Sequence, residues 1–367
     1  MTTPPPQQRS IERLELIDRA RRAVLLAHEP HSAPRLAPWV ERSWQRCLQM
    51  GLEPAREVQF EPVSEAQTRH ALEASHPLLQ AASPVLRSLS RAMAHTRYFA
   101  ILTNADGVVI DVNGPVDAKD PCASRIARIG VDLSERAVGT TAIGTALADL
   151  QPVWLHRGEH FFDATSVYSC AGAPIWGPDG QCVGMLDLTG VRVGEQPALK
   201  HLVAQAARSI ENAMAMARDH HLLLRMNWPG RVLGDDSDGL VCLDDEGEIT
   251  GLNRPAADML GVATGLPAGH ASLYLASPVQ ALFDAAARHA GAQEVPLWSG
   301  LRLQVLAQRE RRVARSAPSP QAMPLKDLET AMIRKAVDDA RGNVMEAARS
   351  LGISRATIYR KLGARRR

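Results

Sequence analysis

The feature that most constrains this 367-residue chain is a short polar turn ending in glycine, which occurs three times between runs rich in β-forming residues. Turns of this composition join neighbouring antiparallel strands, because glycine accepts the positive φ that a tight hairpin needs. The pairs of runs are 98–103 and 108–112 around 104–107, 172–176 and 182–188 around 178–180, and 240–243 and 248–252 around 245–247. Helical patterns lie between them, so the predicted fold class is multidomain α+β with antiparallel sheets.

The chain before the first hairpin has the pattern of helices. Apolar residues recur at helical spacing over 10–28, 39–50 and 63–96. Prolines separate the first two segments, and the dipeptides ending at Pro77 and Pro84 are expected to interrupt the third. We therefore expect a helical N-terminal segment.

A longer helical pattern covers 195–224, between the second and third hairpins. Its apolar stripe comprises Leu199, Leu202, Val203, Ala206, Ile210, Ala213, Met214, Ala217 and His221. This spacing suits a seam against another helix, in the same chain or in a partner subunit. Packing of the helix on its own domain is the equal alternative.

The net charge of +2 conceals an asymmetry between the two ends of the chain. Residues 305–367 contain 15 Lys and Arg against 6 Asp and Glu, so this end carries +9 and residues 1–304 carry −7. A basic end on an otherwise acidic chain favours a polyanionic partner for that end. A solvated basic tail is the alternative.

The basic end, 324–367, has the pattern of three helices, which makes it the all-α part of the chain. An amphipathic helix is predicted over 325–340, a second over 344–350 and a third over 355–362, with Gly352 in the turn before the third. Two short helices around a glycine-containing turn, the second of them basic, are typical of a helix-turn-helix.

The third helix has the chemistry of a DNA-recognition helix. Arg355, near its start, has the donor geometry to form two hydrogen bonds with a guanine, whereas short polar and basic neighbours suit phosphate and sugar. Such a unit acts as a dimer on two half-sites. The residues predicted to contact double-stranded DNA are Asn343, Ser354, Arg355, Thr357, Tyr359, Arg360 and Lys361.

The sequence GNVMEAARSLGISRATIYRKL, at 342–362, closely resembles the Fis-type DNA-binding domain. This resemblance covers nearly all of the basic end. It implies that Arg355 reads bases, that Thr357 and Arg360 contact DNA, and that helix 325–340 contributes to a dimer interface.

Four motifs of the central region are AVGTTAIGTAL (137–147), RGEHF (157–161), YSCAGAPIWGPDG (168–180) and VGMLDLTG (183–190), and together they resemble the GAF-type sensor domain of acetoin-catabolism activators. The sequence ERSWQRCLQMGLEP (41–54) is similar to the segment that precedes this domain in that group. The sequence GLVCLDDEGEITGLNRPAADMLG (239–261) resembles the opening of the PAS-like domain that follows it. The sequence departs from the group at Thr141, where Asn is usual, and at Leu133, where Trp is usual. Both positions are near the expected ligand side of the GAF fold, so the ligand is expected to differ.

These observations predict six segments. They are a helical N-terminal segment (1–82), a GAF-like sensor (83–194), a connecting helix (195–226), a PAS-like module (227–307), a linker (308–323) and a Fis-type helix-turn-helix (324–367). The linker is predicted from its Arg-rich and then Pro/Ser-rich composition.

The residues predicted to bind a small-molecule effector are Thr141, His160, Phe161 and Cys170. A histidine satisfied within the core is an equal alternative for His160, and a buried inert thiol is favoured over a redox sensor for Cys170. Asp187 is expected to stabilise a strand end. Too few ligands accompany His160 for a metal site, so no metal and no cofactor are predicted.

No catalytic pattern is present, so the protein is expected not to be an enzyme. None of the five lysines follows a glycine, so the sequence lacks the GxxxxGK loop of the ATPase module usual in acetoin-catabolism activators. No apolar run reaches about 18 residues and no signal pattern begins the chain, so a cytoplasmic location without membrane contact is expected.

Together these features predict a sequence-specific, homodimeric transcriptional regulator with a small-molecule sensor. RNA polymerase is a candidate partner of such a regulator. The alternative is an architectural or weakly specific DNA-binding protein whose front domains mediate assembly.

Overall fold

The computed structural model describes residues 6–27, 29–263 and 268–309, together with 344, 345 and 348. The chain divides into two compact units, Met1–Glu310 and Arg311–Arg367, and the elements below belong to the first. The seven predicted DNA-contact residues and nearly all of the predicted linker lie outside the described residues.

The first unit alternates helices and strands. Its helices are α1 (Pro6–Arg21), α2 (Pro38–Gln49), α3 (Glu65–Ala74), α4 (His76–Ala92), α5 (Pro121–Ile126), α6 (Glu135–Val138), α7 (Ala142–Asp149), α8 (Leu199–Met216), α9 (Arg254–Leu260) and α10 (Val279–Ala287). Its strands are β1 (Tyr98–Asn104), β2 (Val109–Asn113), β3 (Val153–His156), β4 (Tyr168–Trp176), β5 (Cys182–Val191), β6 (Leu222–Asn227), β7 (Gly239–Leu243), β8 (Ile249–Leu252), β9 (Gln293–Pro296) and β10 (Arg302–Arg309). A π-helical turn, Arg22–Leu26, extends α1, and short 3₁₀ turns cover Pro30–Ser32, Arg157–Glu159, Asp163–Thr165 and Ala271–Leu273.

The strands form two five-stranded antiparallel sheets. The first has the order β2-β1-β5-β4-β3 and the second has the order β8-β7-β6-β10-β9. The three predicted hairpins are the pairs β1–β2, β4–β5 and β7–β8, so the prediction of an α+β fold with antiparallel sheets is confirmed. No helix among the described residues is long and apolar enough to cross a lipid bilayer.

The first sheet is buried on both faces, because successive side chains of a strand point to opposite sides. On one face, Phe99, Ile101 and Met185 belong to a core that α2 and α5 to α7 complete. On the other face, Leu186 and Leu188 belong to a second core with α4 and α8. Strand β5 therefore contributes to both cores.

The N-terminal helices follow the predicted segments except at Pro84. The helix predicted over 39–50 is α2, and the segment predicted to be interrupted at Pro84 continues through that residue as α4. Proline has no N–H, so the carbonyl of Gln80, four residues before Pro84, lacks its helical hydrogen bond. Both residues are exposed, so water can donate to that carbonyl instead. Apolar residues on the opposite side of α4 are buried, which stabilises the continuous helix.

The helix predicted over 195–224 was predicted too long. The helix α8 ends at Met216, and residues 222–227 form β6, the central strand of the second sheet. Leu222 and Leu224 alternate with less buried neighbours and pair with β7 and β10. The backbone hydrogen bonds to these two strands therefore stabilise residues 222–227 more than the bonds of a longer α8 would. The apolar stripe of α8 packs on the first sheet and on α4. Of the two predicted arrangements, the structure therefore shows the one in which this helix packs on its own domain.

A buried polar network joins α8 to the second sheet. Asn253 donates to Asn212 Oδ1 on α8 (2.7 Å) and to the carbonyl of Asp238 (2.8 Å), while its own Oδ1 accepts from Leu240 N (2.8 Å). Asn212 in turn donates to the carbonyl of Asp236 (3.2 Å). Because these groups satisfy one another without water, the end of α8 and the second sheet are held in one arrangement.

Candidate functional site

A small cavity lies on the face of the first sheet that packs against α7. It has a volume of about 20 Å³, which is room for about one water molecule. Its lining residues are Phe60, Ile101, Ile126, Leu133, Thr141, Ala142, Ile143, His160, Thr165, Tyr168, Cys170, Asp187 and Thr189. Most of this wall is apolar, with a few polar groups directed into it.

The N-terminus of α7 forms one wall because glycine on β4 lets it approach the sheet. A Cβ atom at Gly172 would lie 2.5 Å from Met185 Cε and 2.9 Å from the carbonyl oxygen of Ala142. Thr141 caps the helix, its hydroxyl accepting from Gly144 N at 3.1 Å. The positive end of the α7 dipole is therefore directed toward the cavity.

Strand β5 contributes a carboxyl group, that of Asp187. The prediction that Asp187 stabilises a strand end is wrong, because Asp187 lies inside β5 opposite Ile101 and Gly172 and is fully buried. Thr189 donates its hydroxyl to Asp187 Oδ2, and Oδ1 is buried without a hydrogen-bond partner. Burial raises the pKa of Asp187 to about 7, although the bond from Thr189 acts against that shift.

Cys170 on β4 continues this chain of hydrogen bonds. Its Sγ lies 3.3 Å from Thr189 Oγ1, and because the Thr189 proton is directed to Asp187, the thiol is the donor. Burial raises the pKa of the Cys170 thiol well above its ordinary value. Cys170 is therefore a protonated cavity residue and not a reactive thiolate.

His160 contributes the second polar group without a partner. Its Nδ1 lies 2.9 Å from the carbonyl oxygen of Arg157, and a carbonyl only accepts, so Nδ1 carries the proton. Burial lowers the pKa of His160 to about 4, which keeps the ring neutral at pH 7. Its Nε2 is therefore a lone-pair acceptor, and it is buried without a hydrogen-bond partner.

Helix α1 holds the segment 157–163 that carries His160. The Arg21 guanidinium donates to the carbonyls of Gly158 (2.9 Å), His160 (2.5 Å) and Phe161 (3.0 Å), and pairs with the Asp163 carboxylate (2.5 Å).

A second arginine of α1 holds the same segment. The Arg13 guanidinium pairs with Glu159 (2.7 Å), and burial raises the pKa of that carboxyl to about 7. The backbone position of His160 thus depends on a helix about 140 residues earlier in the chain.

Three of the four predicted effector-binding residues come together in the cavity, namely Thr141, His160 and Cys170. Phe161 lies outside it, fully buried edge-to-face against Phe162 (5.2 Å between ring centres). Sequence reasoning missed Asp187, Thr189 and Tyr168 as lining residues. The signal for Asp187 was a single charged residue inside an otherwise apolar β-run, at 183–190.

The part of the chain that the structure describes contains no group of three or more His, Cys, Asp or Glu placed to hold a metal ion. A larger cavity of about 410 Å³ lies between the β4–β5 turn and β8. None of the described buried polar atoms that lack a hydrogen-bond partner lies on its wall, so it lacks the chemical signal of the smaller cavity.

Comparison with known proteins identifies two matching regions. Residues 17–212 match the family model described as the MimR N-terminal domain, and residues 324–364 match that described as bacterial regulatory protein, Fis family.

Named relatives share part of the chain. The acetoin catabolism regulatory protein of Cupriavidus necator is 31% identical over 256 residues, covering 67% of this chain and 37% of that protein. The propane 2-monooxygenase operon transcriptional activator MimR of Mycolicibacterium goodii is 29% identical over 242 residues, covering 59% and 40%. The chain thus spans two fifths or less of the length of these relatives.

Among solved structures, the E. coli DhaR(N)–DhaL complex is similar with a TM-score of 0.46 and 14% identity, over 74% of this chain and 99% of that one. The MimR N-terminal domain model accounts for more than half of this chain and contains the whole cavity. The chain therefore belongs to the family of regulatory proteins that carry the MimR N-terminal domain, with a Fis-family region at 324–364.

Proposed function

We propose that the protein is a transcriptional regulator that binds DNA sequence-specifically and adjusts that binding to a small molecule held in the cavity. In this proposal the segment 83–194 is the GAF-like sensor, 227–307 is the PAS-like module, and 324–367 is the DNA-binding unit. The protein acts in the cytoplasm as a homodimer that recruits or excludes RNA polymerase. Two of its relatives are named as regulators of operons or catabolic genes.

The observation that carries the sensor half is a pair of buried polar atoms without a hydrogen-bond partner, His160 Nε2 and Asp187 Oδ1. Each buried polar atom without a partner costs about 1–3 kcal/mol, so a purely structural core would avoid placing two on one cavity wall. An occupant that bonds both atoms recovers this free energy. The cavity is therefore suited to bind a ligand and to be stabilised by it.

The DNA-binding half is supported by the Fis-family match at 324–364. Within it, Arg355 is assigned to base reading, and Arg360 and Lys361 are assigned to phosphate. A dimer places two such units on half-sites about one helical turn apart.

The proposed coupling runs from the cavity through β5 to α8. On β5, Asp187 and Thr189 face the cavity. Their neighbours Leu186 and Leu188 point to the opposite face of the sheet and lie in the core that α8 covers. A ligand that moves β5 therefore moves α8. Asn212 on α8 transmits that displacement to the second sheet through Asn253, and so alters the spacing of the two recognition helices.

The test selects bound sequences from a random DNA pool at fixed salt with the full chain, and repeats the selection and the affinity measurement with Arg355→Ala and with Lys361→Ala. We expect an enriched palindrome for the native protein, relaxed specificity for Arg355→Ala, and a uniform loss of affinity for Lys361→Ala. Steep salt dependence without enrichment, unaffected by Arg355→Ala, would instead support the architectural alternative.

A further inference from the structure

A cleft of about 180 Å³ lies where the end of β4 meets the helices α8 and α9. It shares no lining residue with the small cavity of the first sheet. Since a cavity of about 150 Å³ holds a molecule the size of benzene, the cleft has room for a ligand of about six to eight heavy atoms. Much of its wall consists of small apolar residues, namely Pro152, Ala173, Pro174, Ala204 and Ala207.

The buried side of the cleft carries a carboxyl group, that of Glu211 on α8, which is 6% exposed. Its Oε1 accepts from Trp176 N at 3.0 Å, and no other described residue donates a hydrogen bond to this carboxyl. Burial raises the pKa of Glu211 to about 7, although the bond from Trp176 acts against that shift. Because this pKa is close to neutral pH, a cation placed beside the carboxyl keeps it ionised at little cost in free energy.

Two arginines line the same cleft, Arg208 on α8 and Arg254 on α9. Arg208 is three residues before Glu211, so both side chains lie on one face of α8. The Arg254 guanidinium lies over the ring of Trp176, 4.9 Å from its centre, and pairs with Asp258 at 3.1 Å. Arg208 is exposed and the Arg254 side chain is 40% exposed. The buried end of the cleft is therefore acidic, and its exposed end has two guanidinium groups against one carboxylate.

This order of charges restricts the charge pattern of a ligand. An anion without a cationic group faces Glu211 at low dielectric, and a cation without an anionic group faces the two guanidinium groups. An apolar occupant removes water from Glu211 without supplying a hydrogen bond. A zwitterion with its cationic end inward pairs with both ends of the cleft.

We infer that the cleft binds a small amino acid, whose ammonium group donates to Glu211 and whose carboxylate accepts from Arg208 and Arg254. A short side chain fits the small apolar residues of the wall. The ligand contacts α8 and α9 at once, so its binding stabilises the contact between this helix and the part of the chain that contains the second sheet. This site is separate from the cavity of the first sheet and does not depend on what that cavity binds.

The experiment titrates the full chain by calorimetry with L-alanine and with two controls of equal heavy-atom number. Lactate keeps the carboxylate and has a hydroxyl in place of the ammonium group, whereas alaninamide keeps the ammonium group and has an amide in place of the carboxylate. We expect alanine to bind with a Kd at least about tenfold below those of lactate and alaninamide, because each control lacks one of the two ion pairs.

Two variants locate the binding in the cleft. Glu211→Gln keeps an acceptor for Trp176 N and removes the negative charge, so we expect the Kd of alanine to rise about tenfold and its preference over lactate to disappear. Arg208→Gln removes an exposed partner of the carboxylate, and we expect the Kd of alanine to rise about fivefold. The matched control is Arg91→Gln, an exposed arginine on α4 outside the cleft, which should bind alanine as the native protein does.

The inference is overturned if alanine does not bind, or if lactate or alaninamide binds as tightly as alanine. It is also overturned if Glu211→Gln binds alanine with the native Kd while thermal unfolding shows a folded protein. If Glu211→Gln does not fold, the variant at the exposed position decides, and a native Kd in Arg208→Gln overturns the inference.

Discussion

Replacement of Arg21 by alanine tests the connection between α1 and the cavity wall. The Arg21 side chain is 13% exposed, bonds three backbone carbonyls of the segment 157–163 and pairs with Asp163. Water will reach the vacated space, so the loss of each of the three hydrogen bonds costs about 1 kcal/mol. The free energy that holds this segment against the rest of the protein therefore falls by about 3 kcal/mol. Such a loss raises the fraction of molecules in which the segment 157–163 is detached and the cavity wall is open by about a hundredfold.

The assay is the rate at which iodoacetamide alkylates Cys170, measured by peptide mass spectrometry. Cys170 lines the cavity and is buried, so the reagent reaches its thiol only when the cavity wall opens. When the wall recloses faster than the reagent reacts, the alkylation rate is proportional to the fraction of open molecules. We therefore expect the alkylation rate of Cys170 to increase about tenfold or more in Arg21→Ala. Cys242 should keep its native rate, since it lies in the second sheet. The matched control is Arg19→Ala, an exposed arginine on the same helix.

Two results would refute this reasoning. If Cys170 reacts at the native rate in Arg21→Ala, α1 does not hold the wall. If Cys170 and Cys242 accelerate equally, the substitution acts through global unfolding and the local coupling is absent.

Three further predictions concern stability. Gly172→Ala should lower the free energy of unfolding by about 1–3 kcal/mol in chemical denaturation, since its Cβ has no space, whereas Gly194→Ala, which faces open space, should be nearly neutral. Folding raises the pKa of Asp187 to about 7, so the native protein loses stability as the pH rises from about 4 to 7 and this buried carboxyl ionises. The amide of Asp187→Asn does not ionise. The free energy of unfolding of this variant, measured at each pH, should therefore increase relative to that of the native protein across this window, by up to about 4 kcal/mol. Asn253→Ala removes three buried hydrogen bonds and leaves Asn212 Oδ1 without its donor, so it should lower the free energy of unfolding by about 1–3 kcal/mol in chemical denaturation, and an unchanged free energy would contradict this.

The hairpins could be predicted because their signals are local. The turn glycines Gly107, Gly180 and Gly247 adopt positive φ, and the flanking runs pair as antiparallel strands. The boundary between α8 and β6 was missed because a run of leucines fits a helix as well as a strand, and only pairing with two neighbouring strands decides between them.

The cavity could be predicted only in part. Thr141, His160 and Cys170 stand in motifs that mark them, but the role of Asp187 depends on which face of β5 it occupies, and register is a tertiary property. The role of Arg21 depends on carbonyls more than 130 residues away in sequence, which no local pattern encodes.

The most direct test of the account measures the affinity of the full chain for its selected operator and for a random duplex, in native protein and in Asp187→Asn. Residue 187 is buried in the first sheet, outside the matched Fis-family region, so any effect on DNA must be transmitted. Coupling of ordinary size predicts a change of about fivefold or more for the operator, with the random duplex unaffected. Equal affinities of both proteins for both DNAs would contradict the claim that this cavity controls DNA binding.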